Sequence, residues 1–110
     1  MDLSIIVPVY NEAENIEPLI QEINAAVSPL GRPYEVVVVD DGSCDATFTV
    51  LARLHRRERC LRVVRLKRNF GQTAAIAAGL TYAGGDILVL MDGDLQNDPK
   101  DIPPLLAELK

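Results

Sequence analysis

Short apolar runs alternate with helical patterns along the whole chain. Runs rich in Ile, Leu and Val cover residues 3–9, 34–39, 61–66 and 86–91, and segments with apolar residues at helical spacing separate them. Apolar runs of this kind are typical of strands in a parallel sheet, and strand–helix–strand units require right-handed crossovers. The alternation therefore predicts one α/β domain with a Rossmann-like parallel sheet of about four strands, in the order 3-2-1-4, with helices on both faces.

The helical segments are predicted at residues 14–27, 45–57, 72–83 and 102–109. Asn11 is a candidate N-cap for the first helix, with Glu14 as its capping-box partner. Gly84 and Gly85 are expected to end the third helix as C′ glycines. That third helix is rich in alanine, so we expect it to pack closely on the sheet.

Length and composition limit the function classes. A chain of 110 residues predicts a single domain, residues 1–110, and its net charge of −5 argues against a nucleic-acid partner. No apolar stretch reaches the ~18–20 residues that a membrane span needs. The N-terminus lacks the basic region of a signal peptide, so we expect a cytoplasmic protein with Cys44 and Cys60 as reduced thiols, Cys60 packed.

The positive charge is unevenly distributed. Eight of the eleven Lys and Arg residues fall between Arg53 and Arg68. This cluster is either a solvated helix face followed by an edge strand, or a basic surface that faces lipid headgroups or phosphates.

The fourth predicted strand is almost wholly apolar and lies at the edge of the predicted sheet. Natural proteins rarely leave such an edge bare. We therefore expect either a truncated domain, since the chain stops at Lys110 without a terminating Gly or Pro, or a homo-oligomer that covers this edge.

Asp92, Gly93 and Asp94 directly follow the fourth apolar run, so they belong at the carboxyl end of a strand. Open α/β sheets bind their ligands at that edge. Two carboxylates one residue apart repel each other unless a cation neutralises them. The pattern could be a simple polar turn at the end of a strand. It favours a site for Mg²⁺ or Mn²⁺, in which the metal also binds a diphosphate.

Four segments at predicted sheet tips carry the remaining motifs. They are Pro8-Val9-Tyr10-Asn11-Glu12, Val39-Asp40-Asp41-Gly42-Ser43, Asn69-Phe70-Gly71-Gln72-Thr73-Ala74-Ala75 and the segment from Met91 to Pro99. In this order and spacing the chain resembles the family 2 glycosyltransferases of the GT-A fold. It looks most like the polyprenyl-phosphate glycosyltransferases, the dolichol-phosphate mannose synthase type.

The resemblance implies roles for specific residues. Asp92, Asp94 and Gln96 are expected to hold the metal, and Asp92 and Asp94 are the expected catalytic residues. The expected nucleotide-sugar-binding residues are Pro8, Tyr10, Glu12, Val39, Asp41, Asp92, Gly93 and Asp94. Tyr10 offers a flat face for a base and Glu12 an acceptor for ribose hydroxyls, while Asp41 accepts an imino N–H that uracil and guanine both carry.

Structural roles compete with these assignments. Pro8 could simply end a strand, and Asp40 or Ser43 could cap the second helix. Phe70 is expected in the core, and Arg68 faces either a phosphate or solvent. His55 is expected to be uninvolved in any site.

The resemblance implies a metal-dependent, inverting enzyme that transfers a sugar from a UDP or GDP sugar to a polyprenyl phosphate carrier. The full-length protein is then expected at the inner face of the cell membrane. The alternatives are a nucleotide- or metal-binding fragment without transfer activity, and a family 2 enzyme that acts on a polysaccharide or a soluble acceptor. A structural Rossmann-like or response-regulator-like domain is the remaining alternative, but residues 8–12 do not fit a response regulator.

Overall fold

A computed structural model describes residues 2–91 and 102–103 of the chain. The elements alternate as predicted, with bounds that differ by one or two residues. The strands are β1 Leu3–Val9, β2 Tyr34–Asp40, β3 Leu61–Arg65 and β4 Ile87–Leu90; the helices are α1 Ala13–Val27, α2 Thr47–Arg57 and α3 Gln72–Tyr82. Ile102 and Pro103 are helical, and the rest of the helix predicted at 102–109 lies outside the described residues.

The four strands form one parallel sheet in the order β3-β2-β1-β4, so the predicted order 3-2-1-4 is confirmed. β1 and β2 run in register from Leu3 opposite Tyr34 to Val9 opposite Asp40. The carboxyl ends of the two central strands are therefore level, and the loops that leave them start side by side.

Helices cover the sheet on both faces. α1 and α2 pack on one face, where Ile16, Ile20 and Leu51 are fully buried. α3 packs on the other face, with Ala75 against Ile6 and Val39. A Cβ atom at Gly79 would lie 2.5 Å from Ile6 Cγ2, so α3 approaches the sheet as closely as its small residues allow.

β4 is exposed on the face that carries α3. Leu88 is 47% exposed and Leu90 is 52% exposed, whereas Ile87 and Val89 pack against the core on the other face. The apolar run at 86–91 predicts a buried strand, and that expectation is wrong for Leu88 and Leu90, because α3 packs mainly on β1 and β2. Within the same residues, β1 is the sole partner of β4, as expected for an edge strand.

A buried polar network ties the amino edge of the sheet together. The Ser4 hydroxyl donates to Glu35 Oε2 at 2.6 Å, the Gly84 N–H donates to the same oxygen at 2.7 Å, and Arg62 lies 3.3 Å from Glu35 Oε1. Burial by itself raises the pKa of Glu35, but the Ser4 and Gly84 hydrogen bonds and the Arg62 charge hold it below its usual value. Glu35 is therefore an ionised side chain that is only 2% exposed.

Gly84 and Gly85 do not act as C′ glycines, so that expectation is wrong. The C-cap of α3 is Ala83 in an extended conformation, and neither glycine has a positive φ. Gly85 is needed instead for a close approach, because a Cβ atom there would lie 2.6 Å from the Ser4 nitrogen.

A second polar contact lies at the same edge. Asn24 Oδ1 accepts hydrogen bonds from the Tyr34 hydroxyl at 2.6 Å and from the Cys60 thiol at 3.3 Å. Burial raises the pKa of Tyr34 to about 12 and also raises the pKa of Cys60. Cys60 is thus a packed thiol, as expected, and Cys44 is exposed; both are free.

Helix length and hydropathy also bear on membrane association. Among residues 2–91 and 102–103, no helix is long and apolar enough to cross a membrane.

Candidate functional site

Three loops meet at the carboxyl edge of the sheet. They are the first loop (residues 10–12), the second loop (41–46) and the third loop (66–71). Main-chain hydrogen bonds hold the first residues of the second and third loops to the neighbouring strands: the Asp41 N–H donates to the Val9 carbonyl and the Leu66 N–H donates to the Asp40 carbonyl, both at 2.9 Å. This is the edge at which open parallel sheets bind ligands.

The first loop presents the predicted binding residues Tyr10 and Glu12. Tyr10 is 41% exposed, so part of its side chain is accessible to solvent. Glu12 is partly exposed, and Asn15 Nδ2 donates to Glu12 Oε2 at 2.7 Å. Pro8 is partly exposed and pairs in register with Val39 on β2. The first loop therefore begins beside the end of β2.

Asn11 connects the first loop to the second. Its side-chain Oδ1 accepts hydrogen bonds from the Cys44 N–H at 2.8 Å and the Asp45 N–H at 3.4 Å. Its own N–H donates to Ser43 Oγ at 2.8 Å, and its φ is 52°. Asparagine is one of the few residue types that adopts this left-handed conformation readily.

The expectation that Asn11 caps α1 is therefore wrong. The N-cap of α1 is Glu12, which makes no side-chain cap bond, while the Asn11 oxygen is used by the second loop. Sequence reasoning missed this link because the bonded residues are more than thirty positions apart. The available signal was an asparagine placed between two candidate ligand-binding residues.

Asp41 connects the second loop to the third. Its Oδ1 accepts a hydrogen bond from the Phe70 N–H at 2.8 Å and its Oδ2 accepts one from the Gly71 N–H at 3.0 Å. The residue is only 4% exposed. Asp41 lies at the predicted place, but it also holds the backbone of the third loop, which the sequence did not indicate.

Asp40 and Val39, at the end of β2, are both fully buried. Asp40 is fully buried; its Oδ1 accepts from the Ser43 N–H at 3.0 Å, and its Oδ2 has no hydrogen-bond partner among the described residues. Val39 is fully buried against α3, so its side chain is out of reach of a ligand. Neither Asp40 nor Ser43 caps α2, since the N-cap of α2 is Ala46.

The third loop packs directly on the second. Gly42 has a φ of 71°, and a Cβ atom there would overlap the backbone of Arg68 and Asn69. Phe70 is 51% exposed and the Arg68 guanidinium stacks 4.8 Å from the centre of its ring. The expectation that Phe70 lies in the core is wrong, because its backbone is held at the surface by Asp41.

The predicted metal ligands lie outside the described residues. These are Asp92, Asp94 and Gln96, together with Gly93 between the two acids. Met91 directly precedes them; it is buried, and its N–H donates to the Ile6 carbonyl at 2.9 Å. Over residues 2–91 and 102–103, no group of three His, Cys, Asp or Glu side chains could hold a metal ion.

Most of the basic cluster has partners within the protein. Arg53 and Arg57 pair with Glu17, and Arg62 pairs with Glu35. Arg65 lies over the ring of Phe48, and Arg68 over that of Phe70. His55 donates a hydrogen bond from its Nδ1–H to the carbonyl of Leu61, the first residue of β3, at 2.9 Å. These contacts favour the interpretation of the cluster as a solvated helix face and edge strand.

Comparisons with a family model and with curated proteins agree on one family. A family model described as glycosyl transferase family 2 matches residues 4–110. The chain is 47% identical over its full length to a dodecaprenyl-phosphate galacturonate synthase of Rhizobium johnstonii, of which it covers 33%. It is 42% identical over 94% of its length to an undecaprenyl-phosphate 4-deoxy-4-formamido-L-arabinose transferase of Serratia proteamaculans, of which it covers 32%. The chain thus spans about a third of the length of these relatives.

Solved structures share the fold. A mannosyltransferase of Pyrobaculum calidifontis in complex with GDP-Man and Mn²⁺ superposes with a TM-score of 0.75 at 34% identity, over 84% of this chain and 27% of that one. TarS of S. aureus, residues 1–349, gives a TM-score of 0.78 at 29% identity, over 97% of this chain and 32% of that one. A glucosyl-3-phosphoglycerate synthase of Mycobacterium tuberculosis with Mn²⁺ and UDP gives 0.74 at 28% identity, over 98% of this chain and 39% of that one.

Proposed function

Because this chain belongs to glycosyl transferase family 2 and has the GT-A fold, we propose that residues 1–110 form a single nucleotide-sugar-binding domain of a polyprenyl-phosphate glycosyltransferase. The enzyme transfers a sugar from a UDP or GDP sugar to a polyprenyl phosphate, with inversion at the anomeric carbon. The observation that carries this proposal is the meeting of Tyr10, Glu12 and Asp41 at the carboxyl edge of the sheet, towards which β4 also runs.

Three side chains of the described site bind the nucleoside. The exposed ring of Tyr10 stacks on the base, and Glu12 accepts hydrogen bonds from ribose hydroxyls. Asp41 accepts the imino N–H of the base with the lone pairs that Phe70 and Gly71 leave free, since each carboxylate oxygen accepts more than one bond. Val39 contributes no side-chain contact because it is buried against α3.

The metal is assigned to Asp92, Asp94 and Gln96. Their oxygen donors are of the hard type that Mg²⁺ and Mn²⁺ prefer. Among residues 2–91 and 102–103, no group of three His, Cys, Asp or Glu side chains could hold a metal ion, and Asp40 is fully buried. When bound, the divalent cation neutralises charge on the departing nucleoside diphosphate. Gly93 lets the backbone approach the diphosphate closely.

A lipid phosphate is the proposed acceptor. The relatives at 47% and 42% identity are named as transferases of dodecaprenyl and undecaprenyl phosphate. A phosphate oxygen is already a good nucleophile, so the acceptor needs no strong general base from the described residues. The full-length protein then works in the cytoplasm at the inner face of the membrane, where polyprenyl phosphate is presented.

Isothermal titration tests the donor site. We expect the protein to bind UDP or GDP, and the corresponding sugar nucleotide, more tightly when Mn²⁺ or Mg²⁺ is present. Asp94→Asn should abolish the increase in nucleotide affinity that the metal causes. Asp86→Asn is the matched control, because it removes the same charge from an exposed side chain before β4. A folded protein that binds neither nucleotide contradicts the proposal.

A transfer assay tests the acceptor. Radiolabelled sugar should move from the nucleotide to a short polyprenyl phosphate, and not to a polysaccharide or phosphoglycerate offered instead. Transfer to a soluble acceptor alone would support the other branch of the family. Nucleotide binding without any transfer would identify these residues as a binding unit that needs the remaining chain.

A further inference from the structure

Asn11 is placed to do more than shape a turn. It uses one side-chain oxygen and one backbone N–H to bind three consecutive residues of the second loop, Ser43, Cys44 and Asp45. No other side chain of the described first loop bonds directly to a main-chain group of the second. Asn11 therefore contributes directly to the relative placement of the two loops, together with the bond from the Asp41 N–H to the Val9 carbonyl.

The position tolerates few residue types. A φ of 52° lies in the left-handed region, which glycine, asparagine and aspartate enter at low cost. The two N–H groups of Cys44 and Asp45 require an acceptor oxygen close to the backbone. Glycine satisfies the first requirement alone and alanine satisfies neither, whereas aspartate satisfies both.

Asn11 also separates two proposed ligand-binding residues. Tyr10, which precedes Asn11, has a partly exposed side chain. Glu12, which follows Asn11, donates its N–H to Thr47 Oγ1 at 2.9 Å. Because all three belong to one short loop, a shift of Asn11 moves both neighbours relative to Asp41. The separation between the base-stacking ring and the base-accepting carboxylate is set at this point.

We propose that Asn11 is a positioning residue of the nucleoside pocket: it holds Tyr10 and Glu12 at the correct distance from Asp41 by bonding the second loop. This inference rests on the proposed function. It assigns Asn11 no contact with the metal, so its effect should be the same for a nucleoside monophosphate and for a diphosphate.

The test uses three substitutions at one position. We expect Asn11→Ala and Asn11→Gly to weaken binding of the preferred nucleotide, UDP or GDP, by about tenfold. Asn11→Asp should keep the affinity within about twofold, because it retains the acceptor oxygen and the left-handed conformation. The same order should hold for the monophosphate without metal, whereas the effect of Asp94→Asn should be confined to the diphosphate with metal.

Asn24→Ala separates positioning from simple stability. Asn24 also accepts two hydrogen bonds through its Oδ1, but at the opposite edge of the sheet. This variant should lower the melting temperature as Asn11→Ala does, yet leave the nucleotide affinity unchanged. Hydrogen exchange of the Cys44 and Asp45 amides should accelerate in Asn11→Ala and Asn11→Gly, and not in Asn24→Ala.

Each outcome decides between the two proposals. Binding by the wild type that is unchanged in Asn11→Ala and Asn11→Gly overturns the positioning role and leaves the proposed function intact. An equal loss of affinity in Asn24→Ala assigns the effect to stability and also overturns that role. Absence of binding by the folded wild type overturns the proposed function, and with it the pocket role of Asn11.

Discussion

Replacing Asp41 with asparagine should detach the third loop from the second. The carboxylate accepts hydrogen bonds from the Phe70 and Gly71 N–H groups at 2.8 and 3.0 Å, and the residue is 4% exposed. Asparagine keeps one acceptor oxygen but turns an amide NH₂ group towards the other N–H. One charge-assisted bond is lost and two donors then face each other.

The magnitude follows from those two bonds. A hydrogen bond to a charged group contributes about 1.5–3 kcal/mol. Water can reach the freed N–H groups because Phe70 is half exposed and Gly71 partly so, which places the expected loss towards the lower end. Asp41→Asn should therefore lower the free energy of unfolding by about 2 kcal/mol, or the melting temperature by roughly 10 °C for a domain of this size.

Two assays check this expectation. Urea unfolding followed by circular dichroism gives the stability, and amide hydrogen exchange gives the local effect at Phe70 and Gly71. Asp86→Asn controls for the loss of a negative charge, since Asp86 is exposed and directly precedes β4, at the amino edge of the sheet. If Asp41→Asn unfolds at the wild-type urea concentration and the two amides exchange no faster, the link between the loops is not made by Asp41.

Other perturbations report on other parts of the molecule. The pKa of Glu35 is lowered in the folded protein, so its stabilising contribution is present above its unfolded pKa and is lost as pH falls through its folded pKa. The difference in unfolding free energy between wild type and Glu35→Gln, measured by urea unfolding, should therefore narrow as the pH falls below about 4.3, the usual pKa of a glutamate, and a constant difference contradicts this. Gly79→Ala should cost about 1–3 kcal/mol in the same assay although alanine favours helix, since its Cβ would lie 2.5 Å from Ile6 Cγ2, whereas Gly84→Ala, with only a 3.7 Å contact, should have a smaller effect. The exposed edge at Leu88 and Leu90 predicts self-association of this chain in light scattering at high concentration, weakened by Leu88→Lys; a monomer throughout would contradict it.

The secondary structure could be predicted because it depends on local patterns. Apolar runs such as Val36–Val39 and helical spacing such as Ile16, Ile20 and Ile23 appear in the buried faces of β2 and α1. Short connections between these elements restrict the order of a parallel sheet to few arrangements. The predictions were wrong where a residue type is compatible with two environments, as for the exposed Phe70 and for Gly84 and Gly85, which have no positive φ.

The candidate site was predictable in position but not in construction. Parallel strands place their carboxyl ends at one edge, so the sequence alone predicts that Tyr10, Glu12 and Asp41 lie near one another. The run Val36–Val39 indicated burial on both faces of β2, and Val39 is buried against α3, but the period of two in a strand does not reveal which face a ligand approaches.

The sequence by itself determined the family, the alternating elements and the residue types gathered at the carboxyl edge of the sheet, because these depend on periodicity and short motifs. The tertiary structure alone decided how the loops are joined: Asn11 to Cys44, and Asp41 to Phe70. The physical reason is that one side-chain oxygen can satisfy any nearby N–H group. Which group it meets depends on how the helices and sheet bring together residues about thirty positions apart in the chain.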